Sequence, residues 1–365
     1  MTEQYRESNG DVNRDVYKQI VRKTQQQHRL LSVQWELTYR CNERCTHCYL
    51  DVLSPGSQVP GELNTEEAKE TIDALAELGG LTITFSGGEV FLRRDIFEIA
   101  AYARQKGFAI RFFTNGILIK ASVADKIAAV KPVVVELSVY GSNAETHDEI
   151  TQVPGSFDLT MRAIRLLLER NVRCIIKTPI MKENIEQVDE LRQLAVDMGI
   201  TFQYDLTIIP KHTGDVSPLK HRPSDEQLLV FLRERMKPGE FQIIDQGDDF
   251  SFCGIGRNSL TIDPYGEIST CVGARVSAGS LRQESLKEIW TESPVWEKTS
   301  NLTLKNLPVC STCELRQFCV RCHGTAGFED GDILGCSSVA YREARLRRQA
   351  YYENLHHPEK GAIAL

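Results

Sequence analysis

The stretch Glu36-Leu-Thr-Tyr-Arg-Cys41-Asn-Glu-Arg-Cys45-Thr-His-Cys48-Tyr49 follows a β-strand pattern and carries three cysteines, separated by three and then two residues. Three thiolates are one fewer than a cubane iron–sulfur cluster needs, so one iron is left without a protein ligand. An iron with an open position binds a substrate or cosubstrate, which predicts catalysis rather than electron transfer alone. The alternative is a zinc site, although zinc sites favour two paired Cys-x-x-Cys arms.

The same spacing resembles the CxxxCxxC signature of the radical S-adenosylmethionine enzymes, with His47 before the last cysteine. In that family the open iron is chelated by the amino and carboxylate groups of S-adenosylmethionine. One electron then cleaves this cosubstrate to methionine and a 5′-deoxyadenosyl radical. The resemblance therefore implies removal of a hydrogen atom from an unreactive C–H bond.

A second motif, Ser86-Gly87-Gly88-Glu89, ends the short β-branched strand pattern at 81–85. Glycines let a backbone come close to a ligand, and a carboxylate accepts hydrogen bonds from an ammonium group. The motif resembles the GGE motif of the same family, which binds the methionine amino group. By this resemblance Gly87, Gly88 and Glu89 bind the cosubstrate.

Composition favours a cytoplasmic enzyme. The 365 residues suffice for one large domain and a smaller one, and eleven cysteines behind a polar N-terminus predict reduced, metal-binding thiols. No apolar run approaches the ~20 residues of a membrane span. A net charge of −7 gives no sign of a general affinity for nucleic acid or anionic lipid. The basic run Arg345, Arg347 and Arg348 is interpreted as the solvated face of a C-terminal helix.

Strand and helix patterns alternate through residue 208. The strands are predicted at 32–38, 81–85, 108–113, 133–139, 172–178 and 201–208. Each but the last is followed by a helix pattern, and parallel strands need such crossovers. The order predicts an α/β fold with a parallel sheet, and the resemblance implies a partial (β/α)6 barrel.

Ligands of such sheets bind beyond the carboxyl ends of the strands, where this sequence places polar residues. By resemblance Ser138 and Lys177 would hold the ribose and the methionine carboxylate, and Asn115 would lie near the same ligand. A buried Lys177 would need an anionic partner. Asp205, at the end of the last strand, is our candidate catalytic base, because it could take the proton released when a substrate radical is oxidised. A salt-bridged rim carboxylate is the alternative for Asp205; the other candidates are Tyr140, Tyr204 and His212.

A second group of cysteines follows a polar segment at 209–250, which contains one helix pattern at 224–236. Its first two cysteines, Cys253 and Cys271, lie before and after a predicted hairpin at 260–269, whose turn is Asp263-Pro-Tyr-Gly266. It resembles the SPASM extension of radical S-adenosylmethionine enzymes, which carries two auxiliary 4Fe-4S clusters. By resemblance the second auxiliary cluster has four ligands, namely Cys310, Cys313, Cys319 and Cys336. The first has three, namely Cys253, Cys271 and Cys322.

Two departures from the SPASM pattern leave the fourth ligand of the first auxiliary cluster open. Cys319 and Cys322 are separated by two residues instead of three, and no second cysteine closely follows Cys253. A substrate thiolate, a water-derived ligand or another side chain can complete the site. A four-thiol zinc site at Cys310, Cys313, Cys319 and Cys322 is the alternative. Cys174, in an apolar strand pattern, is predicted to be a core thiol.

The resemblance divides the chain into five parts. They are an N-terminal helical extension at 1–30, a radical S-adenosylmethionine barrel at 31–208, a bridge at 209–250, a SPASM domain at 251–340 and a C-terminal helix and tail at 341–365. It implies three 4Fe-4S clusters, one catalytic and two auxiliary, together with S-adenosylmethionine.

Known SPASM proteins mostly modify peptides, which implies a maturase that forms a thioether or C–C crosslink in a ribosomal precursor peptide. About thirty residues precede the first strand, so leader recognition is expected from a separate protein or from the rim of the barrel. An electron donor such as flavodoxin or ferredoxin is also implied. The alternatives are a radical dehydrogenase of a small alcohol or of a Ser or Cys side chain, as in sulfatase maturases, and a zinc or electron-transfer scaffold.

Overall fold

Nine strands form one sheet in the part of the chain that the computed structural model describes, which is residues 11–237, 241 and 246–356. They are β1 (Ser32–Glu36), β2 (Thr82–Ser86), β3 (Ala109–Thr114), β4 (Val134–Ser138), β5 (Cys174–Pro179), β6 (Thr201–Asp205), β7 (Ser259–Ile262), β8 (Glu267–Ser269) and β9 (Ser277–Ser280). Their spatial order is β6-β5-β4-β3-β2-β1-β7-β8-β9. Strands β1 to β6 pair in parallel with their neighbours in chain order, which confirms the predicted α/β fold.

The described residues form thirteen α-helices, six of which connect the six parallel strands. The thirteen helices are α1 (Asp11–Gln26), α2 (Thr65–Glu77), α3 (Ile96–Gln105), α4 (Ala121–Val130), α5 (Ala144–Thr151), α6 (Ser156–Leu168), α7 (Val188–Asp197), α8 (Asp225–Arg233), α9 (Leu286–Glu292), α10 (Pro294–Ser300), α11 (Pro308–Ser311), α12 (His323–Asp330) and α13 (Ser338–His356). The helix predicted at 224–236 is α8, which begins after the N-cap Ser224. Residues 1–10 of the predicted N-terminal extension and 357–365 of the predicted tail lie outside the described residues.

The two faces of the parallel sheet differ in polarity because side chains alternate along a strand. Apolar residues such as Trp35 and Phe85 are fully buried and belong to the main core together with helix residues. Residues of the opposite register, including Glu36, Arg111 and Glu136, form the other face. The helices therefore cover one face, and a polar face is left toward the inside of the partial barrel.

The cysteine-rich region continues the barrel sheet. Strand β7 pairs in parallel with β1, with Thr261 beside Gln34, and β8 returns antiparallel to β7 as the predicted hairpin requires. The third strand, β9, and the pairing of β7 with β1 were not predicted. This pairing places the turn between β7 and β8, at 263–266, near the carboxyl end of β1, whereas Cys271 follows β8 at the opposite end of the hairpin.

The interpretation of the basic run near the C-terminus is wrong for one residue. Arg347 is only 2 % exposed, whereas Arg345 and Arg348 are exposed or half-exposed. On α13 the buried residues Ala340, Ala344 and Arg347 recur at intervals of four and three, so Arg347 belongs to the helix face that packs inward. No helix among the described residues is both long enough and apolar enough to cross a membrane.

Candidate catalytic and auxiliary cluster sites

Backbone hydrogen bonds hold the loop that contains the first three cysteines. The N–H of Cys41 donates to the carbonyl of Leu53 at 2.9 Å. The N–H groups of Arg44 and Thr46 donate to the carbonyls of Thr151 and Ile150, at the end of α5, at 3.0 and 2.9 Å. The loop is therefore fixed to the barrel on both sides of Cys45, independently of its thiols.

The Gly-Gly motif packs directly against this loop. The N–H groups of Gly88 and Glu89 donate to the carbonyls of Thr38 and Arg40, both at 2.8 Å. A Cβ atom on Gly87 would overlap the carbonyl oxygen of Thr38, and one on Gly88 would overlap that of Arg40. Glycine is required at both positions because two backbones touch without room for a side chain.

The carboxylate of Glu89 is used within the protein. It is fully buried and accepts hydrogen bonds from the Thr114 hydroxyl at 2.8 Å, the Asn115 N–H at 2.9 Å and the Phe91 N–H at 3.0 Å. Burial raises its pKa, which these hydrogen bonds lower in part. Glu89 thus supports the strand ends, and the backbone of Gly87 and Gly88 borders the neighbouring cavity.

A cavity of about 180 Å³ lies at the carboxyl ends of the strands. It is lined by residues that include Cys41, Cys45, Cys48, Asn115, Ser138 and Tyr140. Three buried polar atoms of its lining have no hydrogen-bond partner among the described residues, namely Glu43 Oε1, His47 Nδ1 and Ser86 Oγ. Because such an atom costs about 1–3 kcal/mol when unpaired, the cavity fits a polar ligand next to three thiols.

Glu43 and the hydroxyl of Ser86 were not among the site residues predicted from the sequence. Glu43 lies between two cysteines of the motif and is 2 % exposed, and its other oxygen accepts from the Cys45 thiol at 3.2 Å. Burial raises the pKa of Glu43 to about 7. The only sign of this role in the sequence is an acidic residue between two cysteines of the motif. Such a residue has no characteristic spacing by which it could be recognised.

Lys177 finds its anionic partner inside the protein. Its Nζ lies 2.8 Å from Oε2 of Glu136, which also pairs with Arg111, and 4.5 Å from the ring centre of Phe113. The Lys177 side chain is 36 % exposed, so it is not the buried ammonium expected from the sequence. Glu136 neutralises one of the two cations, and Lys177 is absent from the described cavity lining.

Of the four candidate acid–base residues, Tyr140 lines the cavity and contacts the His47 ring edge-on at a centroid distance of 4.7 Å. The carboxylate of Asp205 accepts from the Thr207 N–H at 2.7 Å and thereby stabilises its own loop. Tyr204 is buried against other aromatic rings of the core. The ring of His212 lies 5.0 Å from that of Tyr49, and burial lowers the pKa of His212 to about 3.

A buried ion pair joins the catalytic loop to the cysteine-rich domain. Glu36, at the end of β1, is fully buried and accepts from the hydroxyl of Tyr49 at 2.7 Å and from that of Tyr39 at 3.3 Å. Arg275 Nη2 completes the group at 2.5 Å from Glu36 Oε2. The N–H of Arg275 donates to the carbonyl of Cys271 at 2.8 Å, so the same residue belongs to the auxiliary loop.

The remaining ligand candidates fall into two sets. Burial raises the pKa of the Cys271 thiol to about 11, and the nearby Cys322 and Cys253 thiols add to the shift, which places these three together. A second cavity, of about 30 Å³, is lined by the other four thiols, namely Cys310, Cys313, Cys319 and Cys336. Cys322 thus lies with the first set, unlike in the zinc alternative. Cys174 is 2 % exposed in the core, as predicted.

The described residues do not form a site for a single metal ion. In the described part of the chain, no three His, Cys, Asp or Glu side chains are close enough to share a single metal ion. Four ligands around zinc must all lie about 2.3 Å from one point, whereas the thiolates of a cubane bind four separate irons. Beside Cys322, a small cavity is lined by Thr207, Thr325 and Glu343 among others, and no further cysteine borders it.

Family models match both halves of the chain. Residues 35–195 match the radical SAM superfamily, and residues 253–314 match the SPASM iron-sulfur cluster-binding domain. The chain is 30% identical over 330 residues to the AdoMet-dependent heme synthase of Methanosarcina barkeri, an alignment that covers 83% of this chain and 93% of the relative. The chain therefore belongs to the radical SAM superfamily, whose enzymes use iron–sulfur clusters and S-adenosylmethionine, and the scaffold alternative is excluded.

Two further likenesses are to a mycofactocin maturase and to a structure with a bound precursor peptide. The chain is 32% identical over 282 residues to the mycofactocin maturase MftC of Mycobacterium tuberculosis, covering 72% of this chain and 71% of the relative. The crystal structure of Streptococcus suis SuiB bound to the precursor peptide SuiA superposes with a TM-score of 0.63 and 16% identity, covering 93% of this chain and 84% of SuiB. At that identity the SuiB match shows the fold alone.

We predict that Gly88→Ala disrupts the catalytic loop, because its Cβ would overlap the carbonyl oxygen of Arg40. The expected cost is about 1–3 kcal/mol of unfolding free energy, together with loss of iron from the catalytic site. The measurements are thermal unfolding and iron content after anaerobic reconstitution. Gly56→Ala is the control, because no atom lies within 4 Å of its Cβ position. Equal stability and iron content in the two variants would contradict the predicted contact.

The metal-free protein should lose stability at alkaline pH. Burial raises the pKa of Cys41 to about 12 and that of Cys48 to about 11, from an ordinary value of 9.0. Above pH 9 the unfolded chain releases these protons first, so the free energy of unfolding falls as pH rises. The expected loss is about 1 kcal/mol per thiol at pH 10.

Urea unfolding of the metal-free protein at pH 8 and pH 10 tests this linkage. The matched control carries Cys41→Ser, Cys45→Ser and Cys48→Ser, because a serine hydroxyl does not titrate in this range. The wild type should lose more stability than the control between the two pH values. An equal loss in both proteins would mean that these thiols ionise as freely in the folded state as in the unfolded chain.

Proposed function

We propose that this chain is a radical SAM/SPASM maturase that removes a hydrogen atom from a ribosomal precursor peptide and thereby forms an oxidative modification such as a thioether or C–C crosslink. The cavity that joins three thiols to unpaired polar groups carries this proposal. When bound there, the cluster and S-adenosylmethionine supply a 5′-deoxyadenosyl radical. MftC and SuiB support a peptide as the substrate class, since a maturase and a peptide-bound structure are among the likenesses.

The proposal includes three 4Fe-4S clusters. The catalytic cluster is assigned to Cys41, Cys45 and Cys48, the first auxiliary cluster to Cys253, Cys271 and Cys322, and the second to Cys310, Cys313, Cys319 and Cys336. Gly87, Gly88, Glu89, Asn115, Ser138 and Lys177 are assigned to the S-adenosylmethionine site, with Glu89 acting through the strand ends that it supports. The domain limits proposed above, at 30, 208, 250 and 340, place each cluster within one domain.

A crosslink requires an electron acceptor. Forming one bond between two substrate groups removes two hydrogens: one leaves as a hydrogen atom, and the other as a proton and an electron. An auxiliary cluster held by the C-terminal cysteines would accept this electron, and a soluble carrier such as flavodoxin or ferredoxin would take it up and would also supply the reducing electron. A cytoplasmic location would keep the thiols reduced, and a separate protein would bind the leader part of the peptide.

A heme synthase activity is the second candidate. The heme synthase relative aligns with 83% of this chain, whereas the mycofactocin maturase aligns with 72%. The greater share of this chain that aligns with the heme synthase is the observation that favours this candidate. The two candidates therefore need a direct comparison.

The test uses the protein reconstituted anaerobically, with S-adenosylmethionine, dithionite and the precursor peptide encoded beside its gene. The peptide should lose the mass of two hydrogen atoms while 5′-deoxyadenosine forms, and a variant with Cys41, Cys45 and Cys48 changed to Ala should form neither product. In parallel, the chain is expressed in a Methanosarcina barkeri strain that lacks its heme synthase. Restored heme synthesis with an unmodified peptide would replace the maturase proposal by the second candidate.

We predict that Asp205→Asn spares 5′-deoxyadenosine formation but slows product formation about a hundredfold, since a general base contributes on that scale. Asp197→Asn, at the exposed end of α7, is the matched control. Rates of both products are measured by mass spectrometry under single-turnover conditions. If Asp205→Asn forms product at the rate of the control, Asp205 is not the base. Its role is then only to stabilise its own loop through the hydrogen bond that it accepts from the Thr207 N–H.

A further inference from the structure

Arg321 occupies the cavity of the second auxiliary site. It lies in the chain between Cys319 and Cys322, is only 3 % exposed, and lines the cavity that contains four thiols. Its Nη2 donates to the carbonyls of Ile333 and Gly335 at 2.6 and 2.7 Å, directly before Cys336. The guanidinium is therefore held in a fixed place by the same loop that presents one of the ligands.

No carboxylate among the described residues pairs with the positive charge of Arg321. Among the described residues, its contacts are backbone carbonyls and the ring of His323, whose pKa burial lowers to about 3, so that this ring is neutral. Burial raises the pKa of the Cys310 thiol, and the positive charge of Arg321 opposes that shift. A buried, unpaired cation is costly, so this cavity is built to receive an anionic group.

A second buried arginine acts on one of the same thiols. Arg347, on the inward face of α13, is 2 % exposed, and its Nη2 pairs with Glu343 at 3.1 Å. Burial raises the pKa of Cys319 to about 12, and Arg347 followed by Arg321 are the cations that oppose this shift. Two guanidinium groups thus act on Cys319, one of them partly neutralised by Glu343.

We propose that Arg321, assisted by Arg347, raises the reduction potential of the second auxiliary cluster and makes it the preferred electron acceptor of the enzyme. The inference rests on the proposed function, because it takes a 4Fe-4S cluster at Cys310, Cys313, Cys319 and Cys336. With four thiolates this cluster has two negative charges when oxidised and three after it accepts one electron. A fixed cation in a buried site stabilises the more negative form more strongly, so it favours reduction.

The experiment measures the midpoint potential by electron paramagnetic resonance during titration with dithionite, which supplies the single electron that reduces the cluster. The protein carries Cys41→Ala, Cys45→Ala and Cys48→Ala, so that only auxiliary clusters contribute. The signal of the second cluster is identified by its loss in Cys313→Ala. Iron content is determined first for every variant.

Arg321→Gln should lower the midpoint potential of the second cluster and leave that of the first cluster less affected. Arg321→Lys, which keeps the charge, should restore most of the wild-type value. Arg348→Gln is the matched control, because it removes a charge from the same region, but its side chain is 42 % exposed and pairs with Glu314. This control should show the wild-type potential, since solvent screens an exposed charge.

An unchanged potential in Arg321→Gln, with its iron retained, would overturn the proposal. If Arg321→Gln fails to hold the cluster, Arg347→Gln takes its place, and an unchanged potential there would equally overturn it. If the protein with both arginines intact shows no signal that depends on Cys313, the assignment of a cluster to this site is itself wrong. The failure of the inference and the failure of the proposed function are therefore distinguishable.

Discussion

The ion pair between Glu36 and Arg275 is the contact on which the arrangement of the sites depends. A buried carboxylate is tolerated only when its partners are complete, and Glu36 has a guanidinium and the hydroxyls of Tyr39 and Tyr49. These partners come from the catalytic loop and from the loop after Cys271. If one of them moved away, a charge would be left unpaired inside the protein, so the two loops keep one relative position.

The pairing of β7 with β1 also fixes the position of the cysteine-rich domain relative to the barrel. It makes the cysteine-rich domain a continuation of the barrel sheet, and the hairpin turn at 263–266 lies beside the carboxyl end of β1, where the catalytic loop begins. Parallel strands also bring the Gly-Gly motif, Asn115 and Ser138 to the edge of the sheet where the three cysteines lie. One geometric rule therefore gathers groups that are distant in sequence into a single cavity.

Local patterns were sufficient for the six parallel strands, helix α8 and the hairpin, because each depends on periodicity and turn residues within a short window. The cysteine spacing likewise predicted the family. Partners far apart in sequence were not predictable: Glu36 and Arg275 are separated by 239 positions, and no pattern links them. An anionic partner was expected for Lys177, but the sequence could not identify it as Glu136 on the neighbouring strand. The charge of Arg347 predicts a solvated side chain, but charge alone does not reveal which face of a helix packs inward.

The central claim is that the chain holds one catalytic and two auxiliary cubane clusters. The most direct test is the iron and acid-labile sulfide content of the anaerobically reconstituted protein, compared with a variant in which Cys41, Cys45 and Cys48 are all Ala. We predict about twelve irons per chain in the wild type and about eight in the variant. About four irons in the wild type and none in the variant, with zinc bound to the C-terminal thiols, would contradict the account.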